Sequence, residues 1–143
     1  MRLDALRRRL GADEQLLSAH LRALADRHAD DPEVALLALD LADWSDRHAE
    51  ALGHGSGGHP TATGQVELSA NPDPGLALLD DLTAVHVRAS AVALSWQLVG
   101  QAAQALHDAD LQATVQRCRP ESVRQAAWAA AQAKQAGTQI LVT

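Results

Sequence analysis

The chain has 143 residues, 47% hydrophobic and 21% charged, which suffices for one domain with its own core and is too apolar for a disordered tail. Thirty Ala and 22 Leu stand against nine Val, one Ile and neither Phe nor Tyr, so the residues that favour pleated sheets are nearly missing and a sheet protein is excluded. A formal charge of −6 argues against binding to phosphate backbones and leaves nucleic acid out as a partner.

Cys118 is the single cysteine and can form no intrachain disulfide. No apolar run follows the basic N-terminus or reaches membrane length, so a cytoplasmic protein without a secretory signal or a span is predicted.

Leu3, Leu6 and Leu10 recur at helical spacing before Gly11, and Asp13 reads as an N-cap. A short lead-in helix is therefore predicted ahead of a second over about 13–29, the alternative being one helix bent at Gly11. The arginines at 7–9 read as a solvated face. Along 13–29 the stripe is Leu17, His20, Leu24 and His28, with Leu16 and Leu21 beside it. Asp31, Pro32 and Glu33 then supply a cap, a first-turn residue without an amide, and a carboxylate at the positive helix end. Helices over 13–29 and about 32–52 thus form a tight antiparallel hairpin. The second carries the seam Val34, Leu37, Leu41, Trp44, His48 and Ala51.

From Gly53 to about Gly75 the chain is rich in Gly, Pro, Ser and Thr and reads as a flexible connection. Its about 23 residues reach ~75 Å when extended, against ~31 Å for a 21-residue helix, so it can cross the length of a bundle. Helix three, about 75–107, keeps a four-three alternation through Leu78, Leu82, Val85, Ala89, Val92, Trp96, Val99, Ala103 and Leu106. Past a turn at 108–110, Leu111, Val115 and Cys118 continue an inward face that Pro120 kinks or interrupts. The last helix is expected to reach about Gly137, with Ile140, Leu141 and Val142 docking on an apolar surface.

A di-iron bundle needs a Glu from each of two helices and Glu-x-x-His from each of the other two. Three positions after Glu14, Glu33, Glu50, Glu67 and Glu121 stand Leu17, Leu36, Gly53, Ala70 and Arg124, so the motif is absent. No two histidines are four residues apart, which removes a His-pair iron site as well, and His54 and His59 in the connection suit only adventitious metal. The residues around His86 faintly resemble a histidine phosphotransfer motif, but the basic residue, Arg88, follows by two positions rather than three. Cys118, between Arg117 and Arg119, reads as a buried structural thiol.

The remaining polar groups on apolar stripes are the candidate binding set: His20, Asp40, Trp44, His48, Trp96 and Glu121. Counted from the turn near residue 30, His20 and Asp40 lie level, within reach of a hydrogen bond, and Trp96 is level with Glu121 and Ser122. Trp44, Trp96 and Trp128 read as bulky fillers of an Ala-rich core.

The stretches SWQLVGQAAQALHDADL and CRPESVRQAAW, with the hairpin DRHADDPEVALLALDLADWSDRHAEAL, resemble small ferritin-like bundle proteins of bacteria. That resemblance implies an all-α, antiparallel four-helix bundle whose two hairpins are joined by a long crossover. Iron-bearing members would imply oxidase, peroxidase or iron-storage chemistry, and the missing ligands set this chain apart from them. The expectation is a non-enzymatic binding or assembly component without a cofactor, forming a homo-oligomer or meeting a partner protein through its Ala-rich helix faces. The alternatives are an atypical redox protein holding iron or another transition metal, and a phosphotransfer-like bundle using His86.

Overall fold

The computed structural model describes residues 2–53 and 66–143, and those residues are all-helical. Four helices follow in chain order: α1 Arg2–Arg27, α2 Pro32–Ala51, α3 Pro74–Ala105 and α4 Ala109–Leu141. Three begin on an aspartate whose side chain accepts from the amide three residues on: Asp31 from Val34, Asp73 from Leu76 and Asp108 from Leu111. Pro32 and Pro74 occupy first-turn positions, where an amide has no intrahelical partner in any case.

The helix ends differ in one detail. Gly53 follows α2 in the left-handed region at φ 88, and His107 takes the same role after α3 at φ 54. Around His107 the amide of Asp108 donates to the carbonyl of Ala103 and that of His107 to Gln104, at 3.0 and 3.2 Å. This reciprocal cap ordinarily uses glycine, because a Cβ crowds the carbonyl there.

The predicted break at Gly11 is not found. Gly11 and Asp13 lie inside one continuous α1, and Asp13 caps nothing. Leu10, Glu14, Leu17, Leu21 and Leu24 form an unbroken buried stripe along that helix. Packing of such a stripe outweighs the roughly 1 kcal/mol that a glycine costs in a helix. Likewise α4 runs through Pro120 to Leu141, past the expected end at Gly137. Pro120 is exposed, so the Gln116 carbonyl it leaves without an amide faces water.

The inward stripes are Val34, Ala38, Leu41, Ser45 and His48 on α2, continued by Leu52 at its C-terminal cap, and Leu111, Val115, Cys118, Ser122, Gln125 and Ala129 on α4. On α3 the stripe is Leu78, Leu82, Val85, Ala89, Val92, Trp96, Val99 and Ala103, as the alternation predicts, while Leu106 is exposed. The predicted α2 seam holds at Val34, Leu41 and His48 but falls one residue early elsewhere: Leu37, Trp44 and Ala51 are more exposed than the buried Ala38, Ser45 and Leu52 that follow them. Each helix touches two others: α1 packs on α2 and α3, and α4 on α3 and α2. At the C-terminus only Ile140 packs on the core, Leu141 and Val142 being exposed.

Ser69, near the start of α3, is tied to the helices. The Ser69 amide donates to Asp81 at 2.7 Å, its hydroxyl donates to Asp80 at 2.7 Å, and Arg27 donates to its carbonyl. Asp81, itself buried, also accepts from His28 Nε2 at 2.7 Å. Residues 54–65 of the predicted flexible stretch, with His54 and His59, lie outside the described residues.

Candidate functional site

All four helices contribute to one buried polar layer. Glu14 of α1, His48 of α2 and Trp96 of α3 are 0%, 1% and 0% exposed, and half-buried Glu121 of α4 closes the group. Glu14 Oε2 accepts from His48 Nδ1 at 2.7 Å and from Trp96 Nε1 at 2.9 Å. His48 Nε2 donates to Glu121 Oε1 at 3.0 Å, and Arg47 reaches Glu121 Oε2 at 3.5 Å near the surface. The imidazole stands edge-on to the Trp96 indole, with ring centroids 5.9 Å apart.

Burial drives the His48 pKa down, but the carboxylates of Glu14 and Glu121 outweigh it and hold the value above its ordinary 6.5. Both ring nitrogens then donate, and a doubly protonated imidazole has no lone pair for a metal or an incoming proton. Two carboxylates face His48 and Arg47, so the formal charges cancel across the layer. One helical turn along, Gln125 Nε2 donates to Ser45 Oγ and to the Leu41 carbonyl, each at 2.8 Å. Glu14 Oε1, Gln125 Oε1 and Ser122 Oγ are buried without a partner among the described residues.

Of the six residues singled out by sequence, His48, Trp96 and Glu121 meet in this layer, and the other three lie elsewhere. His20 does not reach Asp40; its Nδ1 accepts from Arg88 Nε at 3.1 Å across to α3. An arginine can only donate, so the ring proton sits on Nε2, which is buried and without a partner among the described residues. Burial first, and Arg88 second, lower the His20 pKa to about 4. Asp40 is exposed and joins half-buried Trp44 and Trp128 along a groove of about 410 Å³ between α2 and α4. Of the three tryptophans only Trp96 is a fully buried core residue.

Sequence reasoning missed Glu14, the acceptor on which the layer turns. The Glu-x-x-His motif reaches only three residues along one helix, whereas the histidine that Glu14 meets is 34 residues away. The available signal was its place in the stripe between Leu10 and Leu17, where a carboxylate needs a partner from a neighbouring helix.

His86 is half-buried and its Nδ1 donates to the Ala126 carbonyl at 2.8 Å. Burial pushes the Cys118 thiol up to about 11, which suppresses the thiolate needed for attack. Among the described residues, no three His, Cys, Asp or Glu side chains are arranged to hold a metal ion. None of the described helices is long and apolar enough to cross a membrane. Comparison with protein-family models, curated proteins and solved structures gives no match.

Proposed function

We propose that the chain is a ferritin-like antiparallel bundle acting as a non-enzymatic assembly component, associating with a second copy through the outward face of α3. The arrangement is supported by the direction of the contacts. Glu14 and His20 of α1 and His28 just beyond its end meet Trp96, Arg88 and Asp81, so numbers rise along one helix as they fall along the other. Glu14 and Arg22 of α1 meet His48 and Asp43, Ser45 and His48 of α2 meet Gln125 and Glu121, and His86 and Gly100 of α3 lie against Ala126 and Val115, so each of these helix pairs runs the same way. That order is up, down, down, up, with the 53–75 connection as the crossover.

In the buried layer, two helices carry Ser45 with His48 and Ser122 with Gln125 at the Glu-x-x-His spacing of di-iron bundles. Hydroxyl and amide at those positions suit a hydrogen-bonded centre better than an ion cage.

The observation that carries the assembly reading is the charge-free second half of α3. From Ala89 to His107 there is no Asp, Glu, Lys or Arg, and Leu94 and Leu98 on the outward side are 56% and 44% exposed. A length of surface helix that presents leucines and no charge suits coverage by a partner. The Ala-rich segment of α4 offers less, since Ala129 is buried and Ala126, Ala130 and Ala133 are half-buried. Light scattering on a sizing column is expected to give a dimer or larger species for the wild type and a monomer of unchanged helicity for Leu94→Lys with Leu98→Lys. A wild-type chain that stays monomeric at high concentration overturns the reading.

A second reading, an atypical redox protein holding iron or another transition metal, draws on the unpartnered Oε1 of Glu14 beside His48. Elemental analysis and a visible spectrum of chelator-free protein test it: stoichiometric metal that disappears in Glu14→Gln would displace the assembly reading.

A further inference from the structure

A groove of about 530 Å³ lies between α1 and α3, within the range of small-molecule sites. One wall is the apolar strip Ala84, Val87 and Ala91, and the polar groups around it are Arg88, Asp13 and Glu67. Arg88 is half-buried, and its Nε is tied to His20 Nδ1 at 3.1 Å. Neutral His20 thereby fixes the guanidinium, whose two terminal nitrogens make no hydrogen bond among the described residues. No carboxylate among the described residues forms an ion pair with Arg88. A fixed planar fork without a carboxylate is suited to binding one from outside.

The signs around the groove select the ligand further. Asp13 and Glu67 would repel a plain carboxylic acid placed on Arg88, and Arg88 would repel a plain amine placed on them. A molecule carrying both charges on neighbouring atoms satisfies both ends, and the strip from α3 then receives an apolar substituent. We propose that this groove binds a small zwitterion of the apolar α-amino-acid class. Arg88 takes the carboxylate, Asp13 and Glu67 take the ammonium, and Ala84, Val87 and Ala91 cover the side chain. His20 acts as a positioning residue for Arg88. The assembly face lies farther along α3, at Leu94 and Leu98, and the inference does not rest on it.

The test is calorimetric titration of the whole chain with L-leucine, 4-methylpentanoate and 3-methylbutylamine, which share one hydrocarbon body and differ in charged groups. L-Leucine is expected to bind saturably, and each truncated compound to bind at least about tenfold more weakly, the scale of one lost charge-assisted hydrogen bond. Arg88→Gln should abolish leucine binding, with helicity checked by circular dichroism. Asp13→Asn, a milder change at a half-buried position, should weaken leucine and narrow its advantage over the acid. Absence of saturable binding by leucine, valine and phenylalanine at millimolar concentration would overturn the proposal. So would the plain acid binding as tightly as leucine, or leucine affinity unchanged in a folded Arg88→Gln or Asp13→Asn variant.

Discussion

Two buried histidines on inward faces of neighbouring helices end in opposite states. His48 is 1% exposed and His20 is 3% exposed, and burial lowers the pKa of both. His48 lies between carboxylates from α1 and α4, which reverse the effect of burial; His20 meets Arg88 of α3, which adds to it. Burial sets the size of the penalty for a cation, and the sign of the partner decides whether the cation persists. That partner always comes from another helix. A histidine's own segment therefore says little about its protonation.

The comparison breaks most forcefully at Glu14. Glu14→Ala leaves the His48 Nδ1 and Trp96 Nε1 donors buried without an acceptor, so a loss of about 3–5 kcal/mol is expected in urea unfolding. Glu14→Gln keeps the volume and one acceptor, and is expected to cost less while lowering the His48 pKa in an NMR titration. The pH dependence has a definite sign. With its folded pKa raised, His48 contributes fully below its unfolded value of 6.5, and the contribution is lost as pH rises through the folded value. A His48 resonance that titrates below 6.5 in the wild type would refute the two-carboxylate clamp.

His20 gives the mirror image. Its pKa is lowered to about 4, so the unfolded chain takes up a proton between pH 6.5 and 4 that the folded chain refuses. Stability is unaffected above 6.5 and falls by about 3 kcal/mol as pH drops to about 4, at ~1.4 kcal/mol per pH unit. His20→Gln should remove most of that fall. Unfolding curves at pH 7 and pH 4.5 for both proteins decide it, and equal slopes would mean that His20 stays charged.

These two sites also mark what the sequence discloses. The helices were legible because each carries a four-three stripe and Asp31 with Pro32 marks the start of α2, which are local signals; the caps Asp73 and Asp108 are signals of the same kind that the structure adds. The polar layer obeys the same stripes: Glu14, Ser45, Ser122 and Gln125 each stand where a leucine would fit the period. Short-range motifs pass over them, because a buried polar group is explained by a partner across the bundle. Asp40 failed for the converse reason. Level with His20 along the axis, it sits on the side of α2 that lines the α4 groove, and level alone does not fix azimuth.

A smaller effect separates the C-terminal ends of α2 and α3. His107 holds at φ 54 the conformation that Gly53 adopts freely at the end of α2. His107→Gly is expected to stabilise by up to about 1 kcal/mol, because relief of Cβ crowding is partly offset by a more flexible unfolded chain. A loss in thermal unfolding would mean that the imidazole makes a compensating contact.

The smallest effect comes from the exposed counterpart of the His48 clamp. Arg22 of α1 also sits between two carboxylates, Asp43 at 2.9 Å and Asp46 at 2.7 Å on α2, but its side chain is 43% exposed and theirs are 63% and 51% exposed. Water already solvates all three charges, so folding gains little by pairing them, and ordering a long arginine offsets part of the gain. Arg22→Ala is therefore expected to cost less than about 1 kcal/mol and to cost nothing measurable in molar salt, where the screening length falls to roughly 3 Å. Glu14→Ala should keep nearly its full effect under the same salt, because ions do not enter the layer. If salt erases both effects alike, the Glu14–His48 pair is open to water and the sealed centre assigned to this bundle is wrong.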